Sequence, residues 1–258
     1  MPELERPDGA RIHYEVRGDG PLVVLALGFA TTPEPYAGLA DDLARDHRLV
    51  TYDPRGCGES SADGPFDMST DAADLAALIE EIGPPATVFA VAHGVNVATR
   101  SAADNPGIVH ALVSPGVAAA LVNHLEGTEG FAASRPVIEL LVEQLRRDPR
   151  AAMRATIASL NPQLDDDALR ERIEATADYS PVPAMLARIE SWLEDDAALG
   201  RLRDAGDGLA VLWHGHDPWQ AGAMERVAEL LPDARIIEVE DGPLSRPDLA
   251  ATVVREMT

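Results

Sequence analysis

Seven short segments limit what this chain can fold into. Residues 21–27 (P-L-V-V-L-A-L), 87–92 (T-V-F-A-V-A), 108–113 (I-V-H-A-L-V) and 209–213 (L-A-V-L-W) are mostly apolar runs with no polar face. Runs of this length, rich in β-branched residues, read as strands buried on both faces. Residues 48–52 and 235–239 have similar length and content, and 11–16 alternates as a half-buried strand does. Helical patterns separate them. Leu39, Ala40 and Leu43 share one face of a segment over 36–45, and Leu75, Leu78, Ile79 and Ile82 fall at i, i+3, i+4 and i+7. Ser69 or Thr70 is expected to cap that second helix, and Gly83-Pro84-Pro85 stops it. Pro247 to Glu256 supplies the last helix. Strands alternating with helices predict an α/β fold: a doubly wound, mostly parallel sheet covered on both faces.

One region breaks the alternation. Between about Ala118 and Gly206 helical patterns follow one another without a strand: Val137, Ile138, Leu141 and Leu145, then Leu169 and Ile173, then Ile189, Trp192 and Leu193. The expected division is a core over 1–117, a helical lid over 118–206 and the rest of the core over 207–258. Such a lid is expected over the carboxyl ends of the strands, where ligands of these sheets bind.

Composition narrows the function. The net charge of −23 argues against nucleic acid or an anionic membrane as partner. Cys57 is the only cysteine, so no disulfide frame is available, and the histidines show no metal-ligand spacing. We expect no metal and no cofactor. The first residues carry no apolar leader, and no apolar run approaches the roughly 20 residues that span a bilayer. The expectation is a cytoplasmic protein with a small-molecule substrate or ligand; a homodimer is left open.

The 87–92 run passes directly into an Ala-rich helical segment at His93-Gly94. A strand turning at once into a helix has the layout of a nucleophile elbow, whose pattern is G-x-S-x-G. Aligned on strand and helix, the chain reads Ala92-His93-Gly94-Val95-Asn96, with Gly94 where the nucleophile would stand.

Four further pieces point the same way. Residues 53–60 (D-P-R-G-C-G-E-S) match a D-x-R-G-x-G-x-S loop, and Leu27-Gly28-Phe29 falls where an H-G-x oxyanion loop would. Asn105-Pro106-Gly107-Ile108-Val109 is similar to an H-P-x-R-V segment, and His214-Gly215-His216-Asp217-Pro218 to an acid-bearing H-G-x-x-D turn one residue longer. In this order and spacing the chain resembles the α/β-hydrolase superfamily, in its lid-bearing epoxide-hydrolase and esterase-like branch. The resemblance covers nearly everything outside the lid and implies an eight-stranded sheet.

The resemblance also implies a nucleophile, a histidine base and an acid. Gly94 removes the first. The turn expected to carry the histidine, residues 240–247 (E-D-G-P-L-S-R-P), has none. Asp217 matches the acid. The resemblance assigns an oxyanion hole to the backbone N–H groups of Phe29 and Val95, which need no particular side chain. Asp217 and His93 are the candidates to move a proton; the plainer readings are a turn cap for Asp217 and packing under the elbow for His93. Gly28, Gly94, Asn96, Tyr36, His216 and Trp219 are candidate substrate contacts, against the plainer reading of core or wall. Asp53 and Arg55 are expected to brace their loop, and Cys57 to be an inert buried thiol.

Two functions of different class follow. One is a cofactor-free enzyme that acts on a small carbonyl or polyketide-like compound by non-covalent cyclisation, elimination, rearrangement or water addition. The other is a non-catalytic pseudo-hydrolase that binds or carries a ligand. A third reading is hydrolysis by direct general-base attack of water.

Overall fold

A computed structural model describes residues 2–28, 31–125, 135–160, 164–213, 223–239 and 247–258. Its strands are β1 (Glu3–Glu5), β2 (Arg11–Arg17), β3 (Leu22–Ala26), β4 (Arg48–Tyr52), β5 (Ala86–Ala90), β6 (Val109–Ser114), β7 (Leu209–Trp213) and β8 (Arg235–Glu238). Helices α1 (Ala37–Leu43), α2 (Met68–Ile82) and α3 (His93–Asp104) lie between the early strands, and α10 (Met224–Leu230) and α11 (Pro247–Glu256) follow the late ones. Between β6 and β7 come α4 (Val117–Ala120), α5 (Arg135–Arg147), α6 (Pro149–Leu160), α7 (Asp166–Tyr179), α8 (Val182–Leu193) and α9 (Ala198–Ala205). That block is a helical insertion.

The strands form one eight-stranded sheet in the order β1-β2-β4-β3-β5-β6-β7-β8. β1 and β2 are antiparallel to their neighbours, and every pairing from β4 to β8 is parallel. Parallel strands are buried on both faces, which explains the unbroken apolar runs. In β3, Val23 and Leu25 face the layer of α1 and α11, beside Leu39, Leu43, Ala251 and Val254. Val24 and Ala26 face the opposite layer, where α2, α3 and the insertion contribute Leu75, Ile79, Val95, Ile189 and Trp192 to one continuous core. Each such fully buried aliphatic side chain favours folding by roughly 1.5–3 kcal/mol.

Two expectations need correction. The cap of α2 is Asp67, whose Oδ1 accepts from Thr70 N at 2.9 Å, rather than Ser69 or Thr70. Both hydroxyls are engaged by the same carboxylate. The seven segments become eight strands with β1, since Glu3-Leu4-Glu5 is a charged three-residue edge strand, too short for a hydrophobic period to mark. No helix among the described residues is long and apolar enough to cross a membrane.

Candidate functional site

β5 ends at Ala90 and α3 begins at His93, so Val91 and Ala92 alone make the connection. Ala92 has φ 49° and ψ −121°, and among the described residues it is the one non-glycine residue with positive φ. Such a conformation costs about 1–3 kcal/mol and persists only where its surroundings over-determine it. They do so here. Val91 N–H donates to Ala26 O at 3.0 Å, Gly94 N–H to Val91 O at 2.9 Å and Val95 N–H to Ala92 O at 3.0 Å. Three glycines press on the turn from outside. A Cβ on Gly94 would stand 2.1 Å from Ala26 O, one on Gly116 2.7 Å from Ala92 N, and one on Gly28 3.0 Å from Val91 O.

This geometry moves the elbow frame by two residues. The strained position is Ala92, because β5 gives out at Ala90 rather than near Ala92. In the frame Ala90-Val91-Ala92-His93-Gly94, Gly94 becomes the second glycine of the pattern, pressed against β3 and not facing a ligand. Val95 is corrected likewise: its N–H is held by the Ala92 carbonyl, and the residue that follows the elbow is His93. Asn96 is buried inside α3 and its Nδ2 donates to Asp195 Oδ2 at 3.4 Å, which ties the helix to the insertion. The half-exposed Ala92 methyl is the side chain at the tip.

Gly28, just past the end of β3, is packed against the tip: a Cβ there would lie 3.4 Å from Ala92 Cβ and 3.3 Å from His93 N. Tyr36 is not at the tip. It is buried in the α1 layer with its ring edge-on to Phe89 at 6.3 Å, and burial pushes its phenol well above the ordinary range. Phe29, His216, Asp217 and Trp219 lie outside the described residues, as does the stretch 240–246.

His93 packs under the turn with 3% of its surface exposed. Burial, and then the Arg188 charge, push its pKa down to about 3, against a smaller opposing pull from Asp195. It is a neutral imidazole near neutral pH, and so basic only in acid. The unfolded chain takes up this proton below about pH 6.5, while the folded chain waits until about pH 3. The resulting stability is complete above pH 6.5 and is lost as pH falls through that window, at up to about 1.4 kcal/mol per unit. Urea unfolding at pH 7, 5.5 and 4.5 is therefore expected to show a shallower acid decline in His93→Gln than in the wild type. Equal slopes would place the acid sensitivity elsewhere.

Beneath the elbow lies a buried ion-pair network that sequence reading missed. Arg188, from α8 of the insertion, is 1% exposed. Its Nε and Nη2 donate to both oxygens of Asp71 on α2, at 2.6 and 2.8 Å, and Nη2 also reaches Arg55 O at 2.7 Å. Arg55 in turn grips both oxygens of Asp74 at 2.6 and 3.0 Å and pairs with Asp8. Asp53 accepts from Tyr179 Oη and from Glu59 N, both at 2.9 Å. Asp53 and Arg55 thus brace the loop, as expected, but they also anchor the insertion. The signal was visible: Asp71 and Asp74 sit on the apolar side of an amphipathic helix, and unpaired acids are rarely buried there.

A parallel sheet whose fifth strand runs through a strained two-residue turn into a helix, with a helical insertion after the sixth strand, is the architecture of an α/β hydrolase. The model of the alpha/beta hydrolase family matches residues 23–251, and the chain belongs to that family. The probable oxidoreductase EphD of Mycobacterium tuberculosis is 39% identical over 95 residues, which are 35% of this chain and 16% of that protein. The chain therefore spans only a small part of the mycobacterial relatives it matches. A putative carbamate hydrolase, RutD of Azorhizobium caulinodans, is 27% identical over 260 residues, covering 96% of this chain and 93% of that one. Among solved structures, an esterase from Exiguobacterium antarcticum superposes with a TM-score of 0.81 at 19% identity, over 99% of this chain and 98% of the esterase. At that identity the likeness speaks for the fold.

Proposed function

We propose that this protein binds a small carbonyl compound at the Ala92 elbow and acts on it without forming a covalent intermediate. The observation that carries the reading is the elbow itself. The strained turn and its three close-packed glycines are retained, while the side chain at the tip is a methyl group, which cannot attack. The part of an elbow that outlives its nucleophile is the backbone. The N–H of the residue after the tip, here His93, together with that of Phe29, would polarise a carbonyl or hold an enolate oxygen. Asp217 is the group proposed to move the proton. A binding or carrier role is favoured by one observation in its turn: His93, the titratable side chain next to the tip, is neutral and buried.

The wild type is expected to take no label from a fluorophosphonate probe and to show no burst with p-nitrophenyl acetate, since no acyl-enzyme accumulates without a nucleophile. Ala92→Ser restores the hydroxyl but not its base, and its ester turnover is expected to stay within about tenfold of the wild type. Acetoacetate and benzoylacetate, followed by ligand-observed NMR, should bind the wild type and lose binding in Ala92→Leu. A labelled wild-type residue, located by peptide mass spectrometry, would overturn the proposal. Turnover of either keto acid would decide for catalysis over carriage.

A further inference from the structure

Beside the elbow is a small, partly open cavity of about 10 Å³, lined by Tyr52, Asp71, Asp74, His93 and Arg188 and walled by Leu27, Pro54 and Val97. Four elements meet there: the end of β4, helix α2, the first turns of α3, and α8 of the insertion. The lining mixes apolar walls from Leu27, Pro54 and Val97 with the polar groups of Tyr52, Asp71, Asp74 and Arg188, and two of its donors are incompletely used. Tyr52 is 9% exposed, and its hydroxyl makes no hydrogen bond among the described residues. Arg188 commits Nε and Nη2 to Asp71 and the Arg55 carbonyl, but Nη1 reaches only the Cys57 sulfur, at 4.0 Å. Both groups line the cavity, where a water would complete their hydrogen bonding.

We propose that the cavity is a binding site for a single structural water, held by the Tyr52 hydroxyl, Arg188 Nη1 and the Asp71 and Asp74 carboxylates. The volume is at the lower bound for one water and too small for an organic ligand. The chemistry selects water over an ion. An anion would meet two carboxylates, and a cation would face a guanidinium, whereas water accepts from Arg188 or Tyr52 and donates to a carboxylate. Buried waters of this kind typically make about three hydrogen bonds and are costly to remove. At this place the water joins the insertion to the base of the elbow, adding to the direct Arg188–Asp71 contact.

The test is a crystal structure of the whole chain at about 1.5 Å, together with the variant Val97→Ile, which adds one methylene to the cavity wall. The wild type is expected to show one density peak at hydrogen-bond distance from Tyr52 Oη and Arg188 Nη1. Val97→Ile is expected to expel it and to lower Tm by roughly 2–4 °C. Tyr52→Phe, which keeps the shape, should lower the occupancy of the peak. A dry cavity in the wild type overturns the proposal, and so does a Tm that rises when the space is filled. A peak that bromide replaces, seen by its anomalous signal, would make the occupant an anion and overturn it equally. If Val97→Ile fails to fold, deuteron relaxation dispersion on the wild type and Tyr52→Phe replaces that arm. One long-lived water fewer in Tyr52→Phe supports the site, and an equal count overturns it.

Discussion

Gly94→Ala is expected to lower the melting temperature by about 6–12 °C, the equivalent of about 3 kcal/mol in a chain of this size. Alanine is ordinarily the better helix former by about 1 kcal/mol, and Gly94 lies in the first turn of α3. Propensity alone would therefore predict stabilisation. The space decides otherwise, because the new methyl carbon would sit 2.1 Å from the carbonyl oxygen of Ala26. That oxygen belongs to the central strand β3 and already accepts from Val91 N at 3.0 Å, so it cannot move without opening the elbow. Gly200→Ala is the control: it lies in α9, and a Cβ there meets nothing within 4 Å. It should raise stability slightly. Equal thermal shifts for the two variants would mean that the close approach of α3 to β3 is not as described.

The same contact fixes an elbow frame that residue types leave open. From sequence, Ala90, Ala92 and Gly94 are three small residues at alternate positions, and each could take the tip or a flanking glycine's place. Hydrophobicity carries β5 on through Val91 and Ala92, which set the tip two residues late. What fixes the frame is a backbone dihedral and a carbonyl 2.1 Å from a missing methyl, neither of which is written in residue types. The rest of the sheet was legible because parallel strands buried on both faces leave unbroken apolar runs. The insertion was legible as helical, though α6 and α9 were not resolved as separate helices. α6 is divided from α5 by a single residue, Asp148, and its Ala-rich sequence carries too few large apolar residues to mark a face of its own. The pairing of Arg188 with Asp71 spans 117 positions and joins an arginine-rich insertion to an acid in the core, a coincidence of position that no local pattern encodes.

Asp71→Ala should be among the most damaging substitutions outside the elbow, costing about 3–5 kcal/mol, because it strands a guanidinium that is 1% exposed. The two carboxylate oxygens of Asp71 neutralise Arg188 and orient it over the Phe66 ring, whose centroid lies 5.4 Å from the guanidinium carbon. Removing the acid leaves the charge with a carbonyl, a thiol and an aromatic face, none of which carries a countercharge. Arg188→Met alone strands Asp71 and should cost a comparable amount. The pair Asp71→Leu with Arg188→Met removes both charges, and a buried ion pair replaced by apolar residues of similar volume is often nearly neutral. Recovery should be incomplete, since Arg55 O loses the 2.7 Å bond from Arg188 Nη2 and its loop loses a brace. Urea denaturation of the two single variants and the double variant gives the cycle. A double variant near the wild type, with both singles far below it, is the expected pattern. Additive losses would show that the two residues stabilise the protein independently. Limited proteolysis separates local from global effects: Asp71→Ala should release α8 to cleavage before the sheet unfolds. The ion pair carries the charged half of the α2–α8 contact, and its loss leaves the Met68 N–H to Ser191 Oγ bond, at 3.0 Å, and apolar packing.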